Sequence, residues 1–238
     1  MIHEAGAVGA IIVAAGKGSR MGLGHNKVLA KVCGKTVIEW TLDNFINSGL
    51  VDRIVLVISP DDKEQMAEVS RQYRERIDIT LVEGGKERQD SVYNGLISLG
   101  NSVGTVLIHD GARPFADKSI IERSIANARL YGAACAGMPV KDTIKVVDKE
   151  NIISATPERR FIWSAQTPQA FKMEIILDAY KKAYEKGINA TDDASIAEAA
   201  GYKVVMFEGS YYNIKLTSPE DMLLAELFIK NLGLTASP

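Results

Sequence analysis

Four apolar runs constrain this chain more than any other feature: Ala10 to Ala14, Arg53 to Ile58, Ile77 to Val82 and Thr105 to His109. The first two show no polar alternation, so they read as strands covered on both faces, as strands of parallel sheets are. Helical patterns lie between the runs. Thr36 to Ser48 opens with a Thr36/Glu39 capping box, turns Ile38, Leu42, Phe45 and Ile46 to one side and stops at Gly49. Ser59-Pro60-Asp61-Asp62 combines an N-cap, Pro at the first helical position and acids in the first turn, which predicts a helix to about Arg76. After Ile77 to Val82 and a Gly84-Gly85 turn, Arg88 to Leu99 repeats the pattern with Val92, Leu96 and Leu99 inward. This alternation with short connections predicts a parallel sheet with helices on both faces and ligands at the carboxyl ends of the strands.

Beyond the fourth run the order changes. A helix from Lys118 to Leu130 precedes a small-residue strand, Ala133 to Val140. Two alternating segments, Thr143 to Val147 and Ile152 to Thr156, then flank Asp148-Lys149-Glu150-Asn151, the syntax of a hairpin with a polar tip. A hairpin with so little apolar surface packs on something else, such as a second subunit. The remainder reads as helices Met173 to Glu185 and Asp192 to Ala200 and a strand Tyr202 to Phe207. A last helix opens at Ser218-Pro219-Glu220-Asp221 with Leu224, Leu227 and Phe228 inward. With 238 residues, 46% of them hydrophobic, and no internal repeat or linker, we expect a single domain over 1–238 carrying an arm at about 141–160. The fold class is α/β: a mostly parallel, twisted, Rossmann-like sheet with helices on both faces and a protruding β-hairpin.

The first strand runs into glycine. Gly16, Gly18, Gly22 and Gly24 allow backbone N–H groups to approach a ligand closely, and Lys17, Arg20 and Lys27 add positive charge, a combination that suits a polyphosphate. It is neither of two familiar phosphate loops. A Walker A loop fails because Gly16-Lys17 precedes Gly18 and Ile11 stands where a glycine is required. The dinucleotide fingerprint fails at Met21. Taken alone, the stretch also fits a basic surface loop.

A net charge of −2 argues against a dedicated nucleic-acid binder, so positive potential must be local. Cys33 and Cys135 are far apart, which fits a reducing compartment without a disulfide or structural zinc. No apolar run approaches a membrane span and no basic region precedes the first one, so the expected location is the cytoplasm.

Asp110, in His109-Asp110-Gly111-Ala112-Arg113-Pro114, ends the fourth strand where it can hold Mg²⁺ against phosphate oxygens. An Asp-Gly turn closed by a salt bridge to Arg113 is the structural alternative. Three more polar clusters fall at the same end: Gly84-Gly85-Lys86-Glu87-Arg88, Thr191-Asp192-Asp193 and Asn213-Ile214-Lys215. Lys215 also reads as a solvated strand end, and Thr191 as the N-cap of the next helix. His3, His25 and His109 lack metal-ligand spacing, and there is no Ser/His/Asp or Cys/His signature.

Seven blocks in register, AAGKGSRMG with Lys27, GGKERQDSV, HDGARPF, PVKDTIK, ATPERRFIWSAQTPQAF, ATDDAS and NIKLTSPEDM, span nearly the whole chain. In them the sequence closely resembles the 2-C-methyl-D-erythritol 4-phosphate cytidylyltransferase family of the non-mevalonate isoprenoid pathway. The resemblance implies a CTP-binding nucleotidyltransferase that requires Mg²⁺. It also implies a homodimer whose exchanged arm completes the partner's site. By matching position, Arg20 and Lys27 would hold the triphosphate and the transition state, with Lys215 on the phosphates as well. Ala14, Ala15, Gly16, Gly18, Gly85 and Ser91 would bind the nucleotide, with Asp110 on Mg²⁺ and Arg113 near the pocket. Thr143 and Arg159 on the arm, with Thr167, Thr191 and Lys215, would bind the sugar phosphate. The chain departs from the family pattern at Val13, where Pro is frequent, and at Lys86, where an acid is common.

An acceptor phosphate attacking the α-phosphorus of CTP is already an anion at neutral pH, so the lack of a catalytic His agrees with this chemistry. Competing readings are ribitol-5-phosphate cytidylyltransferase, which differs in the blocks corresponding to HDGARPF and ATDDAS, a non-catalytic nucleotide-binding regulator, and a dinucleotide oxidoreductase. The last two predict no pyrophosphate release from CTP.

Overall fold

The structure, a computed structural model, describes residues 6–16, 26–100 and 103–234; Gly18 and Arg20 lie outside the described residues. β1 (Val8–Val13) leads to a short hairpin, β2 (Lys31–Val32) and β3 (Lys35–Thr36), and then to α1 (Val37–Ser48). β4 (Arg53–Ile58), α2 (Lys63–Arg71), β5 (Asp78–Glu83), α3 (Arg88–Leu99), β6 (Thr105–Asp110), α4 (Lys118–Tyr131) and β7 (Ala133–Pro139) follow. The expected strands of the first half are thus present within a residue or two. The α1 boundaries have the expected causes. Thr36 and Glu39 cap each other reciprocally, and Gly49 closes the helix in the left-handed region at φ 68°.

The second half holds β8 (Val146–Val147), β9 (Ile153–Ala155), β10 (Trp163–Lys172), α5 (Met173–Glu185), α6 (Asp193–Ala199), β11 (Val205–Glu208) and α7 (Pro219–Asn231). The main sheet has seven strands in the order β11-β7-β10-β6-β1-β4-β5. Its pairings are parallel except those of β10, which runs antiparallel to both β6 and β7. This central strand is absent from the sequence reading. Pro168 interrupts it, and its pairing with β7 shifts register between Ala165 and Gln169, so no clean period-two pattern exists to detect.

Strand alternation sorts the core into two layers. Ala10, Ile12, Ile54, Leu56, Ile58 and Leu107 pack beneath α1, α2 and α4, whereas Ile11, Val55, Val57, Val106 and Ile108 pack beneath α3, α5 and α6. The helices therefore cover both faces of the sheet. No helix among the described residues is long and apolar enough to cross a membrane.

Three expectations need correction. The segment after Ser59 is a 3-10 turn (Pro60–Asp62) followed by α2, which ends at Arg71 rather than near Arg76. Gln72, Tyr73 and Arg74 instead make tighter i−3 bonds that turn the chain toward β5. In α7, Leu224 and Leu227 are exposed. The inward stripe is Met222, Ala225, Phe228 and Ile229, packed on Val32, Trp40 and Phe115. Asp192, not Thr191, caps α6, accepting from Ser195 N.

The arm is a separate antiparallel pair, β8 with β9, and all of 141–156 is exposed. Asp148 builds the turn by accepting from Glu150 N and Ile152 N at 3.0 and 2.9 Å, and Asn151 takes φ 63°.

Candidate active site

The carboxyl ends of β1, β5 and β6 open onto one cavity of about 380 Å³, within the range of small-molecule sites. Val13, Ala14, Ala15 and Gly16 form one side. Close approach dictates the glycines opposite: a Cβ on Gly84 would lie 2.5 Å from Ala15 Cβ, and one on Gly85 would lie 2.2 Å from Asp90 Cβ. Ser91 locks this turn, its hydroxyl accepting from Gly85 N at 3.1 Å and donating to Glu87 O at 3.1 Å. Lys27 enters from a 3-10 turn, Lys27–Leu29, and Lys215 from the segment before α7.

Asp110 is the focus of the charge. Its Oδ2 is 2.8 Å from Lys215 Nζ and 3.6 Å from Arg113 Nε, and its Oδ1 is 3.5 Å from Arg88 Nε. Burial alone would raise the carboxyl pKa, but Arg88, Lys215 and Arg113 together hold it well below the usual carboxylate range. Arg88 also donates to Asp193 Oδ2 at 2.8 Å; Asp193 is fully buried and accepts from Tyr180 Oη at 2.6 Å. These two carboxylates outweigh burial and stabilise the charged guanidinium.

His109 supports this cluster from behind. Its Nε2 lies 3.0 Å from Arg113 O, and its Nδ1 lies 3.0 Å from Thr167 Oγ1, which accepts from Asp110 N at 3.0 Å. A carbonyl only accepts, so Nε2 carries hydrogen and Nδ1 receives the Thr167 proton, a neutral ring. Complete burial agrees, lowering its pKa to about 4. His109 does not line the cavity and is no general base there.

The structure therefore brings Ala14, Ala15, Gly16, Lys27, Gly85, Ser91, Asp110 and Lys215 to one wall. Arg113 lies behind Asp110, held by Asn213 O at 2.7 Å, and Thr167 is buried with its hydroxyl committed to Asp110 and His109. Thr191, Thr143 and Arg159 are exposed and off the wall; Arg159 donates to Lys141 O at 2.8 Å within the arm. Val13 and Lys86, the two departures, both line the cavity. Asn26 and Arg88 are among the lining residues that the sequence did not single out. Arg88 left a signal: a cation at the first residue of a helix opposes the helix dipole, which Asp193 and Asp110 explain.

Among the described residues no group of three or more His, Cys, Asp or Glu could cage a metal. Of the two carboxylates on the described lining, Glu87 and Asp110, the buried Asp110 lies at the end of β6, where a hard-cation ligand would face substrate phosphates.

Comparisons with known proteins cover the same stretch. The family model for 2-C-methyl-D-erythritol 4-phosphate cytidylyltransferase matches residues 8–231. Relatives of that name from Caldanaerobacter subterraneus subsp. tengcongensis and Clostridioides difficile are 45% and 46% identical, over 94% of this chain and 99% of the first relative, and 91% of each for the second. Among solved structures, the 4-diphosphocytidyl-2C-methyl-D-erythritol synthase of Anaerococcus prevotii superposes with a TM-score of 0.85 at 33% identity, covering 95% of this chain and 100% of that one. The Thermus thermophilus cytidylyltransferase gives 0.76 at 31%, with 94% and 99% covered. With its fold and nearly its whole length matched, the chain belongs to the 2-C-methyl-D-erythritol 4-phosphate cytidylyltransferase family and is a nucleotidyltransferase.

Proposed function

We propose that the chain joins CTP and 2-C-methyl-D-erythritol 4-phosphate, giving 4-diphosphocytidyl-2-C-methyl-D-erythritol and pyrophosphate for isoprenoid precursor synthesis. An acceptor phosphate oxygen attacks the α-phosphorus, and the bond from that phosphorus to the bridging β-phosphate oxygen breaks with its electrons leaving on pyrophosphate. The nucleophile is an anion, so no proton needs removing. What must be supplied is alignment of two anions and stabilisation of charge on the α-phosphoryl oxygens and the leaving group.

Lys27 and Lys215, with Arg20, take that work, and the backbone of Ala14, Ala15, Gly16, Gly18 and Gly85 with Ser91 cradles the nucleotide. Asp110 would hold Mg²⁺, which when bound neutralises phosphate charge. Lys215, on the lining and 2.8 Å from Asp110 Oδ2, would exchange that ion pair for a phosphate. Thr143, Arg159 and Thr191 serve the acceptor; Thr167, its hydroxyl committed to Asp110 N and His109, serves it only by holding Asp110. Because Thr143 and Arg159 lie on the exposed arm, away from their own chain's cavity, the reading includes a homodimer in which each arm reaches the other subunit's site. Two free cysteines, Cys33 exposed and Cys135 buried, suit a cytoplasmic location.

The observation that carries the reading is the convergence of Arg88, Arg113 and Lys215 on Asp110 at a cavity wall that contains Lys27. Pyrophosphate release from CTP with Mg²⁺ tests it. Release is expected with methylerythritol phosphate and not with ribitol 5-phosphate; the reverse preference would assign the acceptor to the competitor, and no release with either would remove the transferase reading.

A further inference from the structure

Lys27 reaches the cavity from a single 3-10 turn, so its position depends on what anchors that turn. The anchor is Asn26. It is 5% exposed, and its amide is fully used: Oδ1 accepts from Val28 N at 3.3 Å, while Nδ2 donates to Ala14 O at 2.6 Å and to Asp62 Oδ2 at 2.7 Å. Ala14 follows directly on β1, and its N–H donates to Val57 O of β4 at 2.7 Å. One amide thus ties the lysine's turn to the end of the central strands and to the start of α2.

Asp62 is the more telling partner. It occupies the N-cap of α2, where an aspartate ordinarily accepts from the first backbone N–H groups of its own helix, yet it makes no such bond. Its carboxylate reaches Asn26 instead, 36 residues away in sequence, and Asp62 does not line the cavity. Ser59 caps the 3-10 turn that leads into α2, accepting from Asp61 N at 3.4 Å, so the Asp62 carboxylate is left for a contact that fixes the residue before Lys27.

We propose that Asp62 and Asn26 form a positioning pair that sets Lys27 against the substrates, so that turnover depends on Asp62 through Lys27. This rests on the role given to Lys27 above. Displacing a charge-stabilising group by an ångström reduces rate by about 10–10².

Asp62→Ser separates positioning from stability. Serine is too short to reach Asn26 while Ser59 still caps the turn, so the full-length enzyme should melt within a few degrees of the parent while kcat falls about tenfold or more. Asp62→Asn, which keeps an oxygen at the right reach, should restore most of that loss. In a Lys27→Ala background Asp62→Ser should change kcat by less than about twofold, since the group it positions is gone. Parent-like turnover of Asp62→Ser overturns the proposal. So does an equal loss in both backgrounds, which would leave the role of Lys27 standing. Parent-like turnover of Lys27→Ala itself would overturn that role and this inference together.

Discussion

Asp193 joins three elements through one buried carboxylate, and its removal has a calculable consequence. It begins α6, is fully buried, and accepts from Arg88 of α3 at 2.8 Å and from Tyr180 of α5 at 2.6 Å. Asp193→Ala removes the nearer carboxylate of Arg88, leaving only Asp110 at 3.5 Å, and strands a buried hydroxyl. Breaking a buried ion pair from one side costs roughly 3–5 kcal/mol, and the lower end applies because the Arg88 side chain is 28% exposed and water can reach it. For a chain of this length each kcal/mol moves the melting temperature by about 2–4 °C, so the expected loss is about 6–12 °C. Tyr180→Phe removes only one hydroxyl and leaves the ion pair, about 1–2 kcal/mol or roughly 2–8 °C. Asp193→Asn should fall between them, because an amide oxygen can still accept from Arg88 while Tyr180 Oη turns to accept from the amide nitrogen. Scanning calorimetry of the three variants and of the Asp193→Ala/Tyr180→Phe double variant decides the matter. The double variant should melt with Asp193→Ala, since the hydroxyl has already lost its partner. A melting temperature for Asp193→Ala within 2 °C of the parent, or full additivity in the double variant, would refute the reasoning.

Asp110→Asn should fold normally but need several-fold more Mg²⁺ for half-maximal turnover, an amide being a poorer ligand than a carboxylate for a hard cation; an unchanged Mg²⁺ titration would count against the metal role. Burial holds His109 neutral with a pKa near 4 against 6.5, so between those values the unfolded chain takes up a proton that the folded chain excludes. Stability should therefore be full above pH 6.5 and fall by roughly 3 kcal/mol toward pH 4, and a denaturant midpoint that stays flat from pH 7 to 4.5 would contradict it. If each site draws Lys27 from one subunit and Arg159 from the other, refolding the inactive Lys27→Ala and Arg159→Ala chains together should return roughly a quarter of parent activity; no return despite proven mixed dimers would place Arg159 in its own chain's site.

What was legible in the sequence follows from what kind of signal each element leaves. β1, β4 and β6 announce themselves because strands covered on both faces must be apolar throughout, and α1 because its cap residues belong to the helix alone. β10 left no such mark: WSAQTPQAFK packs small and polar side chains between two neighbours, with Gln169 1% exposed and bonded to Asp192 and Ala194 N. Its burial is satisfied by partners far along the chain, which no local pattern records. In α7 two stripes obey the helical period equally well, one through Leu224 and Leu227 and one through Met222, Ala225 and Ile229. Hydropathy favours the first, yet the second faces Trp40 and Phe115. Site residues divide in the same way. Glycines and Asp110 sit at strand ends that the pattern locates, whereas Asn26 earns its place through bonds to Ala14 and Asp62 that exist only once the sheet is assembled.

The charge balance of the described lining suits a reaction that needs no base. Among the described residues around the cavity, Lys27, Lys86, Arg88 and Lys215 stand against Glu87 and Asp110, a surplus of two positive charges in a chain whose net charge is −2. Such a wall concentrates anions from solution and raises their rate of encounter. The same field would lower the basicity of an imidazole placed there, and it draws the Asp110 carboxylate into ion pairs. His109 shows the consequence, buried behind the wall and spending both nitrogens on the geometry of Asp110, Arg113 and Thr167. A surface arranged this way suits a nucleophile that arrives already ionised. A phosphate acceptor meets that condition and an alcohol does not, so the field of the cavity selects the reaction class before any contact selects the substrate.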